Sequence, residues 1–242
     1  MGFLDFIFKL FKTQKETTIP PIEPSVEQKP VEELGLLWCP FAKTIPPMPL
    51  KGQYPKKYPQ GAVIHFTAGF MGAIEEVNGG RKQSFLYWII DKDGTIYQTN
   101  PLNEWGYHAG ESYWPNLGSW VSKYLLGIEM VCAGELKKQA DGSFKAWSGQ
   151  KVPPEQVRSG EKKNNILKAG SYQKYTQEQE DALVRLLLWL KKNNPDIFNF
   201  DYILGHDEVA PDRKTDPGWA LSMTMPEFRE YLKKKYQEEP NV

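Results

Sequence analysis

Gly205-His206-Asp207-Glu208-Val209-Ala210-Pro211-Asp212-Arg213-Lys214-Thr215-Asp216-Pro217-Gly218 gathers an imidazole, an ammonium and several carboxylates into one turn-rich stretch. It follows the short apolar run Phe200 to Leu204, which reads as a buried strand. Loops at strand ends are where a rigid scaffold displays reactive side chains. His206 and Asp216 stand ten residues apart, with Pro211 stiffening the path between them and Pro217 fixing the backbone directly after Asp216. A neutral imidazole and a carboxylate are zinc-type ligands, and a third ligand should come from elsewhere in the chain. The search is short, because the chain has 3 histidines.

Working outward, Gly61 to Gly69 reads as a buried strand ending at a small-residue turn, with His65 at the strand's end. If the two strands are neighbours, both rings and Asp216 converge above one sheet edge. Two histidines and a carboxylate with an open fourth position form a catalytic zinc arrangement, in which bound water has its pKa lowered to roughly 7. Leu125 to Cys132 is another buried strand, and Glu129 is its single charged residue. A carboxylate there is costly unless paired or functional. It either pairs with a buried cation or serves as general base to the metal's water. Lys214 precedes Asp216 by two residues, so in an extended loop both point to the same side. Its ammonium would stabilise a tetrahedral oxyanion, the alternative being the solvated state usual for lysine.

The remaining chain divides by composition. Residues 1–12 place Phe3, Phe6, Ile7, Leu10 and Phe11 at helical spacing, an amphipathic helix that either attaches to a membrane surface or protein partner or folds back on the domain. Residues 13–33 form a proline-rich linker. The domain then runs over 34–242. Phe70 to Asn78 reads as a short helix. Ser84 to Asp91 and Thr95 to Thr99, joined through Asp93-Gly94, read as a hairpin. His108 falls in the polar, aromatic loop Asn103 to Gly110. Residues 134–170 read as an extended insertion with a hairpin at Asp141-Gly142. Thr176 to Lys192 is a helix with an apolar stripe of Leu183, Leu186, Leu187 and Leu190, and Pro226 to Tyr236 is a closing helix with Thr224 as cap. The order gives an α/β domain on a single mixed central β-sheet flanked by helices.

Composition narrows the function. Lysine plus arginine and aspartate plus glutamate both number 30, so nothing draws the chain to nucleic acid in general. Aromatics make up 13%, which suits flat, partly apolar ligands such as sugars as well as packing. Cys39 and Cys132 are too few and too far apart for a disulfide framework and read as free thiols, with one bridge if the protein is exported.

His65 after its apolar strand, His108 in Tyr107-His108-Ala109-Gly110, Gly127-Ile128-Glu129, the helix start Tyr175 to Gln179 and above all Ala210 to Gly218 together resemble the zinc-dependent N-acetylmuramoyl-L-alanine amidases. These amidase-2 domains are related to peptidoglycan recognition proteins and phage lysozyme-type amidases, and the resemblance runs from about Tyr54 to Tyr236. It is strongest to the bacterial anhydro-muropeptide and lipoprotein amidases. The resemblance implies zinc held by His65, His206 and Asp216, with Glu129 activating water and Lys214 stabilising the oxyanion. It implies cleavage of the amide between the lactyl group of N-acetylmuramic acid and L-alanine, in peptidoglycan or a muropeptide. It places His108 along the cleft, in contact with substrate, and Arg213 in the same loop as Lys214 is a further substrate contact. Trp105 and Trp114 are candidates for stacking on glycan. The alternative is a non-catalytic peptidoglycan-binding module of the same fold, disfavoured because all three ligand positions are filled. Without a clear secretory signal, the expectation is synthesis in the cytoplasm and action on cell wall or muropeptides, with residues 1–12 either attaching to a membrane surface or protein partner or folding back on the domain.

Overall fold

The computed structural model describes residues 35–161 and 169–238; the expected N-terminal helix and linker lie outside these. Among the described residues the strands are β1 (Lys43–Thr44), β2 (Gly52–Gln53), β3 (Gly61–Phe66), β4 (Trp88–Ile90), β5 (Ile96–Gln98), β6 (Glu104–Trp105), β7 (Tyr113–Trp114), β8 (Gly118–Ser119), β9 (Leu125–Met130), β10 (Glu135–Lys138), β11 (Phe144–Lys145), β12 (Lys151–Val152), β13 (Val157–Gly160), β14 (Gly170–Gln173) and β15 (Ile203–Gly205). The α-helices are α1 (Ala73–Lys82), α2 (Gln177–Asn193), α3 (His206–Val209) and α4 (Met225–Glu238).

The central sheet has the order β1-β5-β4-β9-β3-β15. Neighbours β4, β9, β3 and β15 all run parallel, while β4 and β5 form the antiparallel hairpin turned by Asp93-Gly94. The mixed sheet is the one the sequence predicts. Its four parallel strands end at one edge, and in such sheets the crevice beyond the carboxyl ends is where ligands bind.

Alternation along β3 explains its layers. Ile64, with Ile128 of β9 and Ile90 of β4, packs against Leu183, Leu186, Leu187 and Leu190 of α2 and Phe228 and Leu232 of α4. Val63 points the other way and joins Leu125, Leu204, Ala109, Val121 and Val209. Each such aliphatic side chain contributes about 1.5–3 kcal/mol when fully buried. Parity therefore puts His65 on the Val63 face, at the strand's last turn toward the crevice.

Helix α2 starts where predicted. Thr176 Oγ1 accepts from Gln179 N–H at 3.1 Å, and Gln179 Oε1 accepts from Thr176 N–H at 3.1 Å, a capping box. The Gln179 amide also donates to the carbonyls of Ile90 and Val131, at 3.2 and 3.1 Å, fixing the helix to the ends of β4 and β9. Three sequence expectations shift. Helix α1 begins at Ala73 rather than Phe70, because Phe70 leaves for an apolar cluster with Ala133, Leu136, Ala146 and Val152. Phe200 opens a 3-10 turn, with the strand confined to Ile203–Gly205. The insertion is a folded antiparallel sheet, order β12-β11-β10-β14-β13, with that cluster as its core. Its strands are short and one face is solvated, so their composition imitates a loop. Cys39 and Cys132 are buried free thiols. No helix among the described residues is long and apolar enough to cross a membrane.

Candidate active site

His65 is held from three sides. Its strand is paired on both edges, and its carbonyl accepts from the buried Tyr175 hydroxyl at 3.0 Å. His206 opens α3 directly after β15, the strand in register with β3 at Gly205 and Ile64. Glu208 anchors that turn: its carboxylate accepts from Gly205 N–H at 3.0 Å and from the Arg229 guanidinium at 2.8 and 3.0 Å. Asp216 returns to the same place, its carbonyl accepting from Asp207 N–H at 2.7 Å.

These constraints bring three side chains to one point. His65 Nδ1 lies 2.8 Å from His206 Nδ1 and 3.1 Å from Asp216 Oδ2, and His206 Nδ1 lies 2.9 Å from the same oxygen. All three residues are buried.

The opposite ring atoms decide what that point can hold. His206 Nε2 faces the Ala109 carbonyl at 3.0 Å, and His108 Nε2 faces the Leu125 carbonyl at 2.9 Å. A carbonyl only accepts, so both nitrogens carry a proton. In neutral His108 the Nδ1 is then bare, and it accepts from His65 Nε2–H at 3.0 Å. Neutral His65 and His206 consequently turn unprotonated Nδ1 atoms toward each other and toward the carboxylate. Three lone-pair atoms packed together out of solvent repel unless a cation sits among them. Two imidazole nitrogens and one carboxylate oxygen are a donor set for a divalent metal ion, so the residues fit one.

Burial pulls the His65 pKa down to about 4, and the charge of His206 adds to this. Burial, then the charge of His65, holds His108 well below the usual imidazole range. Burial alone would raise the Asp216 carboxyl, but where a proton rather than a metal cation lies between it and the rings, hydrogen bonds from His206 and His65 outweigh burial and hold the group below its ordinary value. Asp207 goes the other way, pushed up to about 8 by burial and by the charges of Glu208 and Asp216.

Glu129 is the cross-strand partner of His65 in the parallel β3–β9 pair. Its Oε2 is shut off from solvent and has no hydrogen-bond partner among the described residues. Burial raises its pKa well above the carboxylate range; the charge of Asp216 adds to the rise and the Lys214 ammonium opposes it. Lys214 is half-buried, and its charge reaches His65 as well.

The other residues singled out by sequence are engaged within the protein. His108 is buried beneath His65, with both ring nitrogens bonded, rather than along an open cleft. Arg213 donates to the carbonyls of Ala109 and Glu111, each at 2.7 Å, clamping the loop whose Ala109 carbonyl also orients His206. Trp105 lies edge-on to Tyr107, and Trp114 packs on the cluster containing Val63. Sequence reasoning missed the carbonyls of Ala109 and Leu125, since backbone acceptors leave no trace in residue type. It also missed Tyr175, whose only signal is its position just before the cap of α2.

The Amidase_2 family, N-acetylmuramoyl-L-alanine amidase, matches residues 55–219, more than half of the chain. The chain belongs to this amidase family. It is a peptidoglycan hydrolase acting on the bond between N-acetylmuramic acid and L-alanine. The amidase's fold is similar to that of AmpD, solved as a selenomethionine derivative, at 21% identity and a TM-score of 0.53 over 81% of this chain and 97% of that one. AmiD from E. coli, solved with the substrate anhydro-N-acetylmuramic acid-L-Ala-D-γ-Glu-L-Lys, gives 21% identity and a TM-score of 0.47, covering 67% of this chain and 55% of that one. The endolysin LysCS from Clostridium intestinale URNW gives 17% identity and a TM-score of 0.48, covering 83% and 98%. At these identities the likeness speaks to fold alone. No curated protein matches the chain.

Proposed function

We propose that the amidase works as a zinc hydrolase, with His65, His206 and Asp216 holding the ion. The observation that carries this reading is the convergence of two bare Nδ1 atoms and Asp216 Oδ2 within 2.8–3.1 Å, beside an unpartnered Glu129 oxygen. When bound, zinc supplies Lewis acidity and brings its water's pKa to roughly 7. Glu129 takes the proton of the attacking water and passes it to the departing L-alanine nitrogen. Lys214 offsets negative charge building on the lactyl carbonyl oxygen. His108 and Ala109 hold the ligand rings in the tautomer that leaves Nδ1 free.

The test pairs metal analysis with product identification on cell-wall sacculi and on soluble muropeptides. Wild type should bind one zinc per chain and release peptides that begin with L-alanine. His206→Ala should lose metal and turnover together. Full turnover in zinc-free protein would refute the metal assignment.

A further inference from the structure

Trp147 stands at the tip of the β11–β12 hairpin and is 75% exposed, more than any other large apolar side chain among the described residues. Yet the ring is fixed. Its indole N–H donates to the Ala68 carbonyl, in the loop that follows β3. The tip beneath it is closed by Ala146 N–H to Gln150 O and Gly149 N–H to Ala146 O, both at 2.9 Å, with Gly149 at φ +86°. Ala146, just before it, sits in the insertion's core with Leu136 and Val152. A tryptophan oriented so firmly with so much apolar surface left in water gains little from folding, so packing does not explain it.

Beside the ring lies a cavity of about 310 Å³. It is walled by Phe66, Ala68, Ala133, Leu136, Trp147 and Thr215, with the charged Glu135 and Lys137 of β10 also lining it. Phe66 follows His65 directly and Thr215 directly precedes Asp216, so the cavity adjoins the ligand triad on the insertion side. With the indole N–H already satisfied, what the ring offers is its flat apolar surface, suited to the C–H face of a sugar. The neighbouring wall offers the charges of Glu135 and Lys137 but no backbone edge to a peptide. β10 is paired on both edges, to β11 and β14, and has no free strand edge for an extended chain to join.

We propose that the insertion forms a saccharide subsite of this active site. A sugar ring of the substrate stacks on Trp147 and an apolar substituent enters the cavity. This rests on the amidase reading, in which the scissile amide joins a saccharide to a peptide.

The test uses two substrates with the same amide and tripeptide. One carries the N-acetylglucosaminyl-N-acetylmuramoyl disaccharide; the other carries a lactoyl group and no sugar. The readout is the ratio of their kcat/KM values. Trp147→Ala should lower that ratio roughly 5- to 10-fold, the worth of one aromatic stacking partner, through KM on the saccharide substrate. Trp147→Phe should restore part of it. An unchanged ratio, including an equal loss on both substrates, overturns the proposal. If wild type cleaves neither substrate, the amidase reading fails instead, and saturation-transfer NMR with the free disaccharide then decides. A transfer signal seen with wild type and abolished by Trp147→Ala supports the subsite; signals of equal size in both proteins, or none in either, overturn it.

Discussion

His65 Nε2 and His108 Nδ1 lie 3.0 Å apart, and the direction of that hydrogen bond is set one step further away, at the Leu125 carbonyl. His108 thus acts on the ligand triad without belonging to it. Replacing it by phenylalanine removes the acceptor and lets His65 place its proton on Nδ1, where the metal should be. Zinc affinity should fall by roughly 10- to 100-fold, the usual effect of losing such an outer partner. Asparagine can return an acceptor to the position of Nδ1, so His108→Asn should recover most of the affinity. Competition with a zinc chelator measures both variants, and equal affinities in wild type and His108→Phe would contradict this role.

In the proposed mechanism Glu129 acts apart from the metal ligands, though it is the register partner of His65. Glu129→Gln keeps the shape and removes the base. Zinc content should stay at the wild-type level while kcat drops by about 10²- to 10⁴-fold, the range for losing a general base. Loss of metal alongside activity would instead make Glu129 part of the binding set.

In the metal-free protein the buried histidines favour unfolding as the pH falls. His65 is lowered from 6.5 to about 4 in the folded state, and His108 is lowered too. Between those values the imidazoles bind more protons in the unfolded chain than in the folded one, so their contribution to stability rises with pH across the window and is lost as pH falls from 6.5 toward 4. Each buried imidazole contributes about 1.4 kcal/mol per pH unit there. The raised carboxyls of Glu129 and Asp207 act the other way over the same window, so the histidine share is read by difference: in urea unfolding of chelator-treated protein at pH 7, 6 and 5, the stability of His108→Phe should gain less with rising pH than that of wild type.

The sequence is most informative where chemistry demands a residue type. His65, Glu129 and His206 each stand at or just after the end of an apolar strand run, where an imidazole or a carboxylate announces itself, and Asp216 stands out by closing the turn-rich stretch that His206 opens. The β4–β5 hairpin and the cap at Thr176 are legible for the same reason, since Asp-Gly and the Thr-to-Gln spacing serve specific backbone needs. The insertion is not. It packs one thin face on Phe70 and Ala133 and exposes the other, so its polar composition hides strands whose order depends on partners far along the chain. His108 stands out in the sequence but reads toward substrate, because its role depends on two bonds, to His65 and to Leu125, that residue types alone do not reveal.

Arg229 of α4 holds the head of α3 from a distance. Its guanidinium donates to both oxygens of Glu208 and to the Ile203 carbonyl at 3.0 Å, and the side chains of Glu208 and Arg229 are 7% and 14% exposed. Removing one member leaves the other charge buried without a partner, which typically costs about 3–5 kcal/mol. Arg229→Ala should therefore destabilise the amidase by an amount in that range. Lysine cannot reproduce the planar fork, so Arg229→Lys should recover only part of the loss. Because Glu208 also accepts from Gly205, the residue before His206, zinc affinity should fall in both variants. Chemical denaturation and zinc titration measure the two effects, and a stable Arg229→Ala protein with wild-type zinc affinity would show that α3 is held by the sheet alone.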